Sequence, residues 1–181
     1  MRKKVAAIVP SYNEGKRIGN VLNVLTKTKK INEIIVIDDG SEDNTKEIVK
    51  RYKKVKYLKN NVNKGKAYSM DRGVKASNSE IIFFCDADLN GLTSKIVESI
   101  INPVRGGKLD MFIGIRKNLM QRAVKKFAID SGERALKKEI WEKLPNFYKH
   151  RFRIEEGLNH YVNYFGRGFG YKIFNYTKTL K

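Results

Sequence analysis

A chain of 181 residues can bury a core of its own, and 41% hydrophobic against 31% charged residues puts it with globular rather than disordered sequences. The single cysteine, Cys85, rules out an internal disulfide, and no apolar run approaches the roughly 20 residues of a membrane-crossing helix; both fit a cytoplasmic location. With 38 Lys and Arg against 19 Asp and Glu, the net charge of +19 favours anionic partners: phosphates, an acidic membrane surface or nucleic acid.

In chain order, "VAAIV" (5–9) predicts a buried strand closed by Pro10 and the polar turn "SYNEG". Ile18, Val21, Leu22 and Leu25 follow at helical spacing on one face. "EIIVI" (33–37) predicts a second strand stopped by "DDGS", and Asn44 is in position to cap a helix carrying Ile48, Val49 and Tyr52. "VKYLK" is a third strand, "NKGKAYSMDRGVKA" a glycine-hinged loop entering a helix, and "IIFFC" (81–85) a fourth strand. Thr93 or Ser94 caps a helix with Ile96, Val97, Ile100 and Ile101 on one face, broken at Pro103, and "DMFIGI" is a fifth strand.

Beyond it, "SGERALKKEIWEKLP" reads as a helix with Ser131 as N-cap and Leu136, Ile140 and Leu144 four apart. A second helix, "IEEGLNHYVNYF", precedes "GRGFG" and a last strand-like "YKIFNY". Continuous apolar strands alternating with helices predict an α/β fold, a mainly parallel sheet covered on both faces. No linker composition interrupts it, so a single domain is expected over 1–181, with a nucleotide-binding half (1–116) and an acceptor-facing half (117–181).

Open sheets of this kind bind ligands beyond the carboxyl ends of their strands, where "PSYNE", "DDGS" and "DADLN" all fall. Asp86, Asp88 and the amide oxygen of Asn90 offer hard oxygen ligands for Mg²⁺ or Mn²⁺, which typically adds substrate phosphates to one or two protein carboxylates. Each cluster alone is as readily a turn or a chance triplet; their ordered recurrence at three strand ends points to a metal-diphosphate site. The charge alone would also suit a nucleic-acid-binding module, yet no such motif is present and acidic strand ends repel phosphate; no nucleic acid is expected. A nucleotidyltransferase would carry a Gly-rich basic loop after its first strand, which "PSYNEGKR" matches poorly.

In order and spacing, "IVPSYNE", "IIVIDDGSEDNT", "NKGKAYSMDRGV" and "IIFFCDADL" resemble the family 2 glycosyltransferases of GT-A fold, near dolichyl-phosphate mannose synthase-like and glucosyl-phosphoglycerate synthase-like members. The resemblance implies a hexosyltransferase, inverting, that uses a UDP- or GDP-linked sugar and a divalent metal. It implies a nucleotide pocket lined by Pro10, Tyr12 and Glu14, base recognition by Asp39, a supporting role for Asp38, and a D-x-D motif at Asp86, Ala87 and Asp88. Asp88 is then a metal ligand, Asp86 sits nearer the ribose or the metal, and Asn90 stands where relatives carry a metal-binding glutamine.

Lys64 and Lys66 either meet the diphosphate or are solvated surface cations. Arg116, and Arg134 in "SGERAL", are candidates to grip an acceptor phosphate or the leaving diphosphate. For a hydroxyl acceptor, Glu155 or Glu156 supplies the general base; for a phosphate acceptor the pair is structural, bonded for instance to Arg151 or Arg153. His160 is either a third metal ligand or an exposed helix residue, and Trp141 and the Tyr/Phe-rich tail read as core. The acceptor is expected to be anionic, a polyprenyl phosphate or a phosphorylated metabolite. Arg122, Lys125, Lys126, Lys137, Lys138, Lys149, Arg151 and Arg153 are expected to face it or an anionic membrane, with peripheral attachment at the inner face.

Overall fold

The computed structural model describes residues 3–116, 132–149 and 153–178. Strands β1 (Val5–Ser11), β2 (Glu33–Asp38), β3 (Val55–Lys59) and β4 (Ile81–Phe84) alternate with helices α1 (Ile18–Lys27), α2 (Thr45–Lys50) and α3 (Lys66–Lys75). A two-residue β5 (Leu89–Asn90), α4 (Ser94–Arg105) and β6 (Met111–Arg116) follow. Then come β7 (Arg134–Lys137), α5 (Lys138–Lys143), a 3₁₀ turn over Asn146–Tyr148, α6 (Arg153–Phe165), β8 (Phe169–Phe174) and β9 (Thr177–Lys178). Seven strands form one sheet in the order β3-β2-β1-β4-β7-β6-β8, and β5 pairs with β9 apart from it.

Strand residues divide alternately between two cores, which explains the unbroken apolar runs. Val5, Ala7, Val9, Ile81 and Phe83 face α1 and α4, packed against Ile18, Leu22, Val97 and Ile101. Ala6, Ile8, Ile82 and Phe84 face α3, α5 and α6, packed against Met70, Trp141 and Leu158. At about 1.5–3 kcal/mol for each large side chain removed from water, these two layers dominate the fold's stability.

Three expectations are corrected. The segment expected as one helix from Ser131, itself outside the described residues, forms strand β7 and the shorter α5. Glu133, Arg134, Ala135 and Leu136 are all buried at consecutive positions, which a strand inside a two-faced sheet permits and an amphipathic helix does not. β7 runs antiparallel to both β4 and β6, with Phe84 opposite Arg134 and Ile113 opposite Arg134. Helix α4 continues through Pro103 to Arg105; the proline forfeits one N–H bond to the carbonyl four residues back, and the helix ends two residues later. Thr93 caps α4, accepting from the Ile96 N–H at 3.3 Å, whereas the Asn44 side chain makes no cap bond and Asp43 accepts from the Thr45 N–H instead.

Helix α3 sits close on the sheet because Gly73 has no side chain; a Cβ there would come within 2.5 Å of Ile8 Cγ2 and 2.7 Å of Ile37 Cδ1. Gly73→Val is therefore expected to destabilise the protein by roughly 1–3 kcal/mol, as overpacked cores do, read as a lower urea midpoint at unchanged slope.

Candidate active site

The carboxyl ends of β1, β2 and β4 share one edge, fixed by the pairings Ser11 with Asp38 and Ile8 with Phe84. A cleft of about 510 Å³ opens there, lined among others by Ser11, Tyr12, Asp39, Lys66, Asp86 and Asp88. Pro10, Glu14 and Ala87 also lie in its wall, so eight of the residues singled out for nucleotide-sugar binding converge on it.

Two buried carboxylates at the end of β2 shape the cleft. Asp38 accepts from the Ser41 N–H at 2.8 Å and from the Tyr57 hydroxyl. Burial, and then this carboxylate, push the Tyr57 hydroxyl well above its ordinary value, so it stays a donor. Asp39 accepts from Asn60 Nδ2 at 2.6 Å and from the backbone N–H groups of Lys64 at 3.0 Å and Gly65 at 2.7 Å. Gly65 itself has φ +89°, a left-handed conformation that glycine adopts without strain, and it opens α3. The loop after β1 is held as firmly: Asn13, at φ 54°, accepts from the Glu42 N–H at 3.0 Å, and Glu14 pairs with Arg17 at 2.5 Å.

At the other wall, Lys66 Nζ lies 2.7 Å from Asp86 Oδ1 and 3.8 Å from Glu155 Oε1, bridging α3, the end of β4 and α6. Burial pushes its ammonium pKa down, but Asp86, Glu155 and Glu133 outweigh that and hold it above the ordinary lysine value. Gly132 makes room for this bridge, since a Cβ there would stand 2.8 Å from both Asp86 Oδ1 and Lys66 Nζ. Cys85, buried behind Asp86, has its thiol pushed well up by burial and by the Glu133, Asp86 and Asp88 carboxylates, so it remains a packed thiol.

Other candidates lie elsewhere. Arg134 is fully buried, donating to the Glu155 carbonyl and to Asn159 Oδ1, each at 3.3 Å, because its strand is interior. Arg116 faces the buried Glu133 at 3.5 Å instead of the cleft. Asn90 is exposed on β5 opposite Thr177 and is not among the residues that line the cleft with Asp86 and Asp88. Glu156 and His160 are exposed on α6, His160 stacked 4.4 Å from Tyr164. Lys64 borders a neighbouring cleft, its ammonium 4.7 Å from the Tyr68 ring centroid.

Lys137 pairs with Asp110, and Lys138 donates to the Ser77 carbonyl at 2.8 Å, so these two lie at the opposite end of β4 from the cleft. Arg122, Lys125, Lys126, Arg151 and the Arg153 side chain lie outside what the structure describes. Residues that the sequence did not single out, Asn60, Tyr57, Glu133 and Gly132, shape the site through contacts distant in sequence.

The donor set suits a hard divalent ion. Asp86 and Asp88 line one cleft with the Ser11 hydroxyl, which is buried without a hydrogen-bond partner among the described residues. No group of three or more His, Cys, Asp or Glu placed to hold a metal occurs among those residues; Mg²⁺ typically takes one or two protein carboxylates and completes its shell with phosphate and water.

The Glycosyl transferase family 2 model matches residues 6–175, and the chain belongs to that family. Its membership sets aside the nucleic-acid-binding and nucleotidyltransferase alternatives. Mouse dolichyl-phosphate beta-glucosyltransferase is 38% identical over 101 residues, 48% of this chain and 31% of the relative. Poly-beta-1,6-N-acetyl-D-glucosamine synthase of Staphylococcus epidermidis is 36% identical over 88 residues, 46% of this chain and 21% of the relative. The chain thus spans between a fifth and about half the length of the curated relatives it matches.

Glucosyl-3-phosphoglycerate synthase from Mycobacterium tuberculosis, solved with Mn²⁺, UDP-glucose and phosphoglyceric acid, superposes with TM-score 0.83 at 18% identity, covering 99% of this chain and 72% of that one. The same enzyme with Mg²⁺ and UDP superposes with TM-score 0.81. The fold is therefore the GT-A arrangement. No helix among the described residues is long and apolar enough to cross a membrane.

Asp43 ties the loop after β1 to the start of α2, accepting from the Gly15 N–H at 2.9 Å and from the Thr45 N–H at 3.0 Å and hydroxyl at 2.5 Å. Burial pushes its carboxyl up, but these donors and Arg17 hold it below its ordinary value of 3.8. Folded Asp43 binds its proton less readily than unfolded Asp43, so its contribution is present above that value and is lost as pH falls through the lower folded one. Because Asp43 is exposed and its charge is screened by water, Asp43→Asn is expected to lower stability at pH 7 by about 0.5–1 kcal/mol and to flatten the acid limb below about pH 4, measured by urea unfolding at stepped pH.

Proposed function

We propose that this chain, as one domain, transfers a sugar from a nucleotide-diphosphate sugar to an anionic acceptor, with inversion, using Mg²⁺ or Mn²⁺. The observation that carries this reading is the meeting of Asp86, Asp88, Asp39 and Ser11, whose hydroxyl has no hydrogen-bond partner among the described residues, in one cleft at the strand ends. Residues 1–116 then hold the donor and residues from 117 onward face the acceptor. Membership of the family, and relatives that bear UDP-glucose with Mn²⁺ or act on dolichyl phosphate, support the reaction class.

Asp86 and Asp88 would hold the metal, and the metal when bound supplies positive charge to the leaving diphosphate. Asp39 has three of roughly four acceptor positions filled by Asn60, Lys64 and Gly65, which leaves one for an N–H of the nucleotide base. Tyr12, 42% exposed at the cleft wall, offers a ring face to the base. Lys66 steadies Asp86 and at the same time holds Glu155 toward the cleft. Glu155 is the general base for a hydroxyl acceptor, accepting its proton as the new bond forms; Glu156 faces solvent. Arg134, bonded to the Glu155 carbonyl, positions α6.

The acceptor is a phosphorylated metabolite or a polyprenyl phosphate; the latter would bring the chain to the surface of an anionic membrane.

UDP or GDP with Mn²⁺ is expected to raise the melting temperature, a ligand at 100-fold its Kd contributing about 2.7 kcal/mol. Asp88→Ala is expected to abolish the metal-dependent part of the shift; an unchanged shift, or none in the parent protein, removes the basis of the proposal. Glu155→Gln separates the acceptors. With a hydroxyl acceptor kcat is expected to fall about 10²–10⁴-fold, and with a polyprenyl phosphate, already ionised, it is expected to stay nearly unchanged.

A further inference from the structure

A second cleft, of about 500 Å³, lies on the flank of α3 and shares Gly65 with the first. Its volume falls within the range of about 300–1,000 Å³ typical of small-molecule sites. Lys64, Tyr68 and Asp71 of the α3 region line one side, and Asn146 and Lys149 of the connection between α5 and α6 line the other.

The charges in this cleft are unbalanced. Its one carboxylate is already committed: Asp71 Oδ1 accepts from Trp141 Nε1 at 2.9 Å, and Oδ2 pairs with Lys75 Nζ at 2.6 Å. Burial pushes the Asp71 carboxyl up, yet Lys75 and Trp141 hold it below its ordinary value, so it remains an anion bound to its own donors. Neither lysine of the cleft forms an ion pair among the described residues. Each rests on an aromatic ring instead, Lys64 at 4.7 Å from the Tyr68 centroid and Lys149 at 5.8 Å from that of Trp141. A ring face offsets only part of an ammonium's lost hydration. Burial, with the Lys75 charge adding to it, lowers the Lys149 pKa more than Asp71 and Glu142 raise it, so the charge on Lys149 is only partly offset by the carboxylates near it.

The remaining lining is amphipathic. Tyr68 is 44% exposed and presents a ring, and the Asn146 amide offers both donors and an acceptor. Two ammonium groups, a ring and an amide suit a phosphate carried on a hydroxylated or carbon-rich body. The cleft also adjoins the reacting centre: Lys64 and Lys66 are two residues apart, no more than about 7 Å along the backbone, and Lys66 contacts both Asp86 and Glu155.

We propose that this second cleft, between Lys64 and Lys149 with Tyr68 as its floor, docks the phosphate-bearing part of the acceptor; as an acceptor site it rests on the glycosyltransferase reading above. It makes Lys149 and Tyr68 determinants of acceptor choice, outside the donor site.

Calorimetric titration of the full chain with glycerol 3-phosphate, with glycerol as the uncharged control, tests this. The parent protein is expected to bind the phosphate ester and not glycerol. Lys149→Met and Tyr68→Ala are each expected to weaken it roughly tenfold, with Lys149→Arg restoring most of the affinity. Titration with UDP and Mn²⁺ is expected to be the same in all variants, which also certifies their folding. Sedimentation with phosphatidic acid vesicles, against phosphatidylcholine vesicles, tells the source of the phosphate: Lys149-dependent binding to the former assigns a lipid phosphate, and its absence a soluble ester. The proposal is overturned if the parent protein binds neither glycerol 3-phosphate nor anionic vesicles, or if Lys149→Met binds as the parent does. Failure of UDP and Mn²⁺ to bind the parent would instead remove the glycosyltransferase reading and leave the phosphate site standing by itself.

Discussion

The carboxylate of Asp39 is the hinge on which the ligand edge is built. Three donors converge on it from Asn60, Lys64 and Gly65, and two of them are backbone groups of the turn that starts α3. Without that acceptor these part-buried N–H groups would lose a charge-assisted partner, worth about 1.5–3 kcal/mol where water does not replace it. Because the turn is fixed, the first residue of α3 is fixed, and Lys66 comes to stand between Asp86 and Glu155. One side chain at the end of β2 thereby sets the relation between a strand end and a helix, α6, that enters the chain more than a hundred residues later.

The same arrangement resolves an electrostatic difficulty. In a chain of net charge +19, four acids near this edge, Asp38, Asp39, Asp86 and Glu133, are buried. Carboxylates crowded together out of water would raise one another's pKa and favour protonation. Here each is given donors by a different element: Tyr57 and Ser41 for Asp38, the α3 turn for Asp39, Lys66 for Asp86, and Tyr176 with Arg116 for Glu133. The positive excess is left to the outer surface, and the edge keeps acidic groups able to receive a divalent cation.

Much of this was legible in the sequence, for local reasons. "VAAIV", "EIIVI" and "IIFFC" are continuous apolar runs closed by turn residues, and every one is a strand buried on both faces. The acids that follow them fall at the ligand edge because topology places all parallel strand ends there. What the sequence concealed depends on distant partners. "SGERALKK" carries Leu136, Ile140 and Leu144 at helical spacing, yet β4 and β6 claim its first part as a strand. The Lys66–Asp86 bridge and the Tyr57–Asp38 bond each span about twenty residues, and no short window reveals them. Arg116 and Arg134 read as phosphate ligands by type, but burial and Glu133 decide the position of the first and an interior strand that of the second.

The insertion of β7 between β4 and β6 has a bearing on how the chain acquires its shape. Residues 5–84 build four parallel strands through successive short crossovers, each strand pairing with others of that stretch. The far side of β4 waits for β7, whose Leu136 lies opposite Ile82 across some fifty residues of intervening chain. As contacts between near neighbours close at lower entropic cost, these four strands can assemble while the rest of the chain is still emerging from the ribosome. During that interval the row of backbone N–H and C=O groups along β4, immediately below Asp86, is the unpaired rim of the sheet, and the arrival of β7 at once seals that rim and carries Gly132 to its place beside the Lys66 bridge.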